Sequence, residues 1–363
     1  MRMRTLLLAL SFAFAAIAAA DDLLGPADYL RIMVDSKLSY NMSREPAKTP
    51  IAEMQCPRRE PSMRVINEGK DKKRLVPWVV KPEAMNLILE GEKRYEQKDF
   101  AGASEKYKAA IDLDPEAMLA YLFYGDTLLL GVDDPASALV QYRKGIALDP
   151  TIPSGHLFAS TALVHLGRRD EAREEIVQAL VYYPGYEAVW RIADHPERWN
   201  AKPVVRHKFD VPAGYLGAKG SNGIDLYAGD GTRWLGYTIC KAVWANEKRF
   251  AKKHKPDAWS NEEEQACVLN QLMGDYNGTE AGLLEAKKKN GEAQPKVTEA
   301  EVIAALDPFD RHLWDVAHDH MLEGYVFFEI IGQHCPLGMS MMDDATKEAV
   351  EKYVRKYVIV AAE

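Results

Sequence analysis

The chain holds little that would tie it to a reaction. It has no Cys-x-x-Cys, so neither a thioredoxin-like redox pair nor a zinc ribbon has ligands to start from. Gly-x-x-x-x-Gly-Lys-Ser/Thr, the dinucleotide glycine fingerprint, His-Glu-x-x-His and Gly-x-Ser-x-Gly are all missing. Their absence removes the signals of phosphate cradles, helix-borne zinc sites and a nucleophile elbow. A basic excess is missing too, with 46 Lys and Arg against 54 Asp and Glu. An acidic chain lacks the electrostatic footprint of a nucleic-acid binder. Beyond residue 20 the longest apolar run, YVFFEII, is interrupted by Glu329 and is too short to cross a bilayer. No catalytic residue, metal or cofactor is expected on these grounds.

What is present begins at the N-terminus. Residues 1–20 carry Arg2 and Arg4, then an apolar run, then Ala18 and Ala20 before Asp21. This is the pattern of a secretory signal peptide with an A-x-A cleavage site. The expected mature product is exported, periplasmic or extracellular, and has 44 basic against 54 acidic side chains, a formal charge of −10. Its four cysteines, Cys56, Cys240, Cys267 and Cys335, all lie in that exported part, where pairing is permitted in three connectivities. The length suggests about two domains.

An internal repeat organises the first half. Segments 84–115, 118–150 and 153–184 each read as two amphipathic helices closed by proline, at Pro115, Pro150 and Pro184. Small residues recur in register at Ala103, Ala138 and Ala172, then at Ala110, Gly145 and Ala179. They fall where paired helices approach most closely, with Tyr107 and Tyr142 filling the space beside them. One such unit cannot bury its own apolar face, and a stack can.

The segment resembles the tetratricopeptide repeat. The first unit matches best, through Gly91, Tyr95, Phe100, Ala103, Tyr107, Ala110 and Pro115. The second has one extra residue in its GVDDPASA turn and Gly145 for the usual alanine, and the third has Ser160 where glycine is expected and no aromatic before Ala179. The resemblance implies a mostly α fold: a helical-hairpin solenoid followed by a helical C-terminal domain with a Gly-rich irregular segment.

It also implies a concave groove lined by the first helix of each unit. The lining would include Met85, Ile88, Glu92, Tyr95 and Glu96, then Leu119, Leu122, Asp126, Leu129 and Leu130, then Leu157, Thr161, Val164 and His165. The basic clamp with which some members grip a terminal carboxylate is absent. An apolar, acidic groove suits a protein or peptide ligand with apolar anchors and Lys or Arg, unless the chain's own N- or C-terminal segment fills it. Glutamate at Leu122 and Leu129 is expected to weaken partner capture without unfolding the protein.

The plan is a signal peptide (1–20), an irregular N-terminal segment (21–80), a repeat domain of three repeats and a capping helix (81–193), and a C-terminal helical domain of unrecognised family (194–363). In the first flank DYLRIMVDSKLSYNM reads as a helix or a short strand pair, and Arg58, Arg59 and Arg64 read as a solvated loop. In the last, SNEEEQACVLNQLMGDYNG is expected as a helix ending near Gly278, and Thr298-x-x-Glu301 as a capping box. Asn41 and Asn277 stand in Asn-x-Ser/Thr triplets.

The stretch from Asp310 to Cys335 holds four histidines and looks like a metal site. Laid on one helix from Arg311 to Gly332, however, His318 and His320 fall about 160° apart. Only pairs such as His312 with Asp315, or His320 with Glu323, then share a face, with His334 as a distant third. The expected function is therefore an exported adaptor or scaffold that binds protein. The alternative is an enzyme or metal-binding module in residues 194–363, drawing on Asp230, His312, His320 and His334, and a cell-envelope assembly subunit is a third reading.

Overall fold

The computed structural model describes residues 24–43, 63–69, 72–207, 209, 214–217, 223–228, 233–250, 252–253 and 260–362. The signal peptide, the cleavage site before Asp21, and Cys56, Arg58, Arg59 and Asp230 lie outside the described residues. The fold is mostly helical and forms two compact units, 56–206 with 327–363, and 1–55 with 207–326.

In the first unit three helical hairpins follow one another: Pro82–Glu96 with Phe100–Leu113, Met118–Asp126 with Pro135–Leu148, and Pro153–His165 with Arg169–Tyr182. Each first helix ends on a left-handed residue, Lys98, Asp133 or Gly167. That conformation turns the chain so that the next residue bonds back into the helix, as Asp99 N–H to the Arg94 carbonyl (2.9 Å) and Arg168 N–H to Leu163 (2.9 Å). Asp99 and Asp134 then cap the second helices through the N–H groups of Gly102 and Ser137, both at 3.0 Å. The extra residue of the second repeat is taken up by a π-helical turn, Thr127–Gly131, which lets the register downstream resume.

The small residues sit at contacts. A Cβ on Gly91 would lie 2.5 Å from the Tyr107 ring, and one on Gly125 2.4 Å from Tyr142. In the third repeat the tyrosine is replaced by Ile176 and the glycine by Ser160, both fully buried. A smaller partner makes room for the added Cβ, so the two departures compensate each other. Gly91→Ala should accordingly cost about 1–3 kcal/mol, the range for overpacking a core, read as a shift in chemical denaturation midpoint. A neutral result would mean that Tyr107 can move aside.

Within 21–80, called irregular as a whole, the sequence suggests regular structure only in DYLRIMVDSKLSYNM and none further on. The structure instead places an antiparallel pair there, Met63–Asn67 with Lys73–Pro77, turning at Gly69 with φ 88°. Its backbone is tied to the repeats where Val65 N–H donates to Asp149 Oδ2 at 3.1 Å, and Arg64 pairs with Glu116 at 2.9 Å. Beyond the third hairpin come the helix Glu187–Ala193 and, from the end of the chain, Asp344–Tyr353, which packs on Arg169–Tyr182. Gln178 donates to Glu351 across that contact (2.9 Å), and Arg355, in the π-helical turn Val354–Val358 that follows, pairs with Glu174 (2.9 Å).

The second unit has a three-stranded sheet in which Ser39–Met42 pairs parallel with Gly223–Tyr227, and that strand antiparallel with Gly214–Gly217. The helix Pro26–Asp35 packs against Leu235–Asn246 and Asn261–Lys289. A Cys240–Cys267 disulfide joins the latter two, and Cys335, in the other unit, is disulfide-bonded as well.

Two expectations are corrected here. The helix from Asn261 does not stop near Gly278 but runs to Lys289. Each of its three glycines, Gly274, Gly278 and Gly282, costs only about 1 kcal/mol, and good helix formers close the helix from Leu283 on, with three acidic residues in the first turn and three lysines in the last. The Thr298–Glu301 capping box is formed. The histidine stretch, by contrast, is not one helix. Pro308–His318 ends with His320 left-handed at φ 57°, and Met321 N–H closes back on the Val316 carbonyl at 2.9 Å. The chain restarts as Leu322–Tyr325, so the angular argument about His318 and His320 does not apply to the molecule.

Candidate functional site: the groove of the repeats

The first helices of successive repeats touch one another, and the repeat puts equivalent residues at the same position on each. Of the lining residues expected from sequence, Glu96, Leu119, Leu130 and His165 are exposed, and Met85, Glu92, Tyr95, Asp126, Thr161 and Val164 are half-buried. Ile88, Leu122, Leu129 and Leu157 are buried. Leu122 lies against the Gly145 and Gly155 backbone, between helices. At 3% and 4% exposure, Leu122 and Leu129 could not take glutamate without burying a carboxylate, so the expectation that both could be replaced without unfolding is withdrawn. Leu119 and Leu130, at 37% and 64%, are the positions a ligand can reach.

Leu89, 60% exposed, was missed by the sequence reading. It stands four residues after Met85 and three before Glu92, on the same helical stripe, and that spacing was the available signal. Phe123 occupies the same place in the second repeat, its ring 6.1 Å from that of Tyr107, as Phe158 lies 5.7 Å from Tyr142 in the third.

The groove's polar groups form two copies of one device. Tyr107 donates its hydroxyl to Glu92, and Tyr142 donates to Asp126 Oδ1 at 2.7 Å. In each case a tyrosine on the second helix fixes a carboxylate on the first. Burial pushes Asp126 up to about 6; the Tyr142 hydrogen bond opposes this and the charge of Glu92 adds to it. Tyr95 is raised by burial and by both carboxylates. Among the described residues, the groups that shift Asp126 include no basic side chain. The third repeat lacks the device, since Thr161 Oγ1 donates to the Leu157 carbonyl at 3.0 Å and Ile176 stands at the tyrosine position.

In the second unit, the histidines singled out from sequence do not converge. His312 is buried and stacked on His207 with ring centroids 3.5 Å apart, and burial first, then the His207 charge, brings it down to about 3. His320 sits in the break between helices, and His334 belongs to the other unit. Among the described residues no group of three His, Cys, Asp or Glu side chains is placed to hold a metal ion. The titratable clusters there went unnoticed in sequence. Lys241 is buried with Glu263 and Glu264, each at 2.5 Å. Asp310, raised by burial and by Asp275 to about 7, hydrogen-bonds with Asp275. No described helix is long and apolar enough to cross a membrane.

No protein-family model matches the chain. A curated relative, "Protein STIP1 homolog" of Dictyostelium discoideum, is 32% identical over 102 residues. The match covers 28% of this chain and 18% of that protein, so the chain spans under a fifth of the relative's length. Among solved structures the chain is similar to the "First TPR of Spaghetti (RPAP3) bound to HSP90 peptide SRMEEVD", at 18% identity and TM-score 0.29, covering 30% of this chain and 86% of that one. It is also similar to the "CopN-Scc3 complex", at 18% identity and TM-score 0.29, covering 47% and 99%.

Proposed function

We propose, from three tetratricopeptide-like repeats that leave three leucines exposed and two tyrosine-held carboxylates half-buried, that the protein is an adaptor that captures another protein through the groove of its repeats. The single observation that carries this is the exposure of Leu89, Leu119 and Leu130 in the first two repeats, whose first helices also carry Glu92 and Asp126. Soluble monomers rarely keep contiguous apolar surface without a use for it. Export rests on the pattern of residues 1–20, and places the partner outside the cytoplasm. A scaffolding role in the cell envelope would show as constitutive co-purification with envelope proteins.

The test is crosslinking with mass spectrometry in the cells that make the protein, wild type beside Leu119→Glu/Leu130→Glu. Both side chains are exposed, so the variant should keep the wild-type melting temperature within about 2 °C, as surface changes do, while losing its partner. A variant that folds and recovers the same neighbours would sink the groove reading.

A further inference from the structure

The two tyrosine-held carboxylates say more about the partner than its size and greasiness. A half-buried carboxylate repelled by a second one, with no cation among the described groups that shift it, raises the free energy of the unliganded protein. Such a pair is stabilised by whatever brings positive charge to it. Each tyrosine hydroxyl occupies one site on its carboxylate and holds it in place, leaving the other oxygen for an incoming donor. Fixing the acceptor in advance reduces what binding costs in side-chain ordering.

The spacing sets a register. Glu92 and Asp126 are equivalent positions one repeat apart, on first helices that touch each other. Packed helices lie roughly 8–10 Å apart. An extended chain advances about 3.3–3.6 Å per residue, so one repeat corresponds to roughly three residues. The third repeat offers no carboxylate at that position, only Thr161 beside half-buried Val164, with exposed Leu130 preceding it in the second repeat.

We propose that the groove reads an extended partner segment with two basic side chains about three residues apart, seated on Glu92 and Asp126, and an apolar anchor beyond them against Leu130 and Val164. This rests on the groove reading above. The polarity is opposite to a site that grips a terminal carboxylate, so the segment can be internal to the partner's chain.

The probes are fluorescent, end-blocked twelve-residue peptides of pattern Lys-x-x-Lys-x-x-Leu and the reverse Leu-x-x-Lys-x-x-Lys, each also made with both lysines changed to norleucine. They are titrated by anisotropy against the full chain. One orientation should bind, and norleucine should weaken it by at least about tenfold, the scale of losing two charge-assisted hydrogen bonds. Glu92→Gln/Asp126→Asn keeps an acceptor for each tyrosine and should abolish the preference for lysine. Lowering the pH from 7.5 to 5 should weaken the lysine peptide only when Asp126 is present. Binding that ignores norleucine but is lost in Leu119→Glu/Leu130→Glu overturns the cation assignment and leaves the groove standing. Binding unaffected by the leucine variant, or absent for every peptide, overturns both.

Discussion

Lys241→Met should lower the unfolding free energy of the second unit by about 3–5 kcal/mol, the range for removing one partner from a buried ion pair. Lys241 is 3% exposed, Glu263 1% and Glu264 0%. Burial pulls the ammonium's pKa down, but the two carboxylates outweigh it, so the lysine stays protonated. Glu264 also accepts the hydroxyl of Tyr237, which is itself buried. Methionine fills much the same space and takes the ammonium away from both carboxyl groups. Burial already raises the Glu264 carboxyl above its usual 4.5 against the opposing pull of the ammonium and the Tyr237 hydroxyl; without the ammonium the rise is larger, so the stability lost by the variant is still present below that value and disappears as the pH rises. The deficit relative to wild type should therefore be largest near pH 8 and shrink towards pH 4.5 in urea titrations. A deficit under about 1 kcal/mol, or one that does not change with pH, would mean that the ammonium is not what keeps these carboxylates buried.

None of that cluster was readable beforehand, because its members come from helices whose pairing no periodicity specifies. Glu263 and Glu264 belong to the acidic first turn of the helix from Asn261, where the dipole favours a carboxylate whether or not it is buried. What revealed the repeats was local and recurrent: Gly91 with Tyr107 and Gly125 with Tyr142 are contacts within one hairpin, so sequence spacing and distance in space agree. The groove residues were half legible for the same reason. Their helical positions followed from the repeat, but whether a leucine at such a position faces solvent or the next helix depends on neighbours, as Leu119 and Leu122 show. The break at His320 escaped notice because a histidine in the left-handed region carries no sequence mark comparable to glycine.

Glu329, the residue that interrupts the longest apolar run, carries the second large effect. It is 3% exposed and accepts the Tyr353 hydroxyl at 2.9 Å, while the Tyr353 ring packs 5.7 Å from Phe328. Burial pushes its carboxyl up to about 8; the Tyr353 bond and the distant Arg206 charge pull the other way. At neutral pH the side chain is a protonated acid, which is how an apolar helix tolerates it. The unfolded value is near 4.5, so the stabilising contribution of this group is complete below about pH 4.5 and is lost as the pH rises to about 8. Glutamine keeps the acceptor for Tyr353 and cannot ionise. Glu329→Gln should match wild type near pH 5 and exceed it by about 2–4 kcal/mol at pH 8.5, at roughly 1.4 kcal/mol per pKa unit after allowing for relaxation. The check is the denaturation midpoint of the repeat unit across that range. Parallel pH profiles for the two proteins would show that Glu329 reaches water when it ionises, and that the acid is not locked into the core by Tyr353.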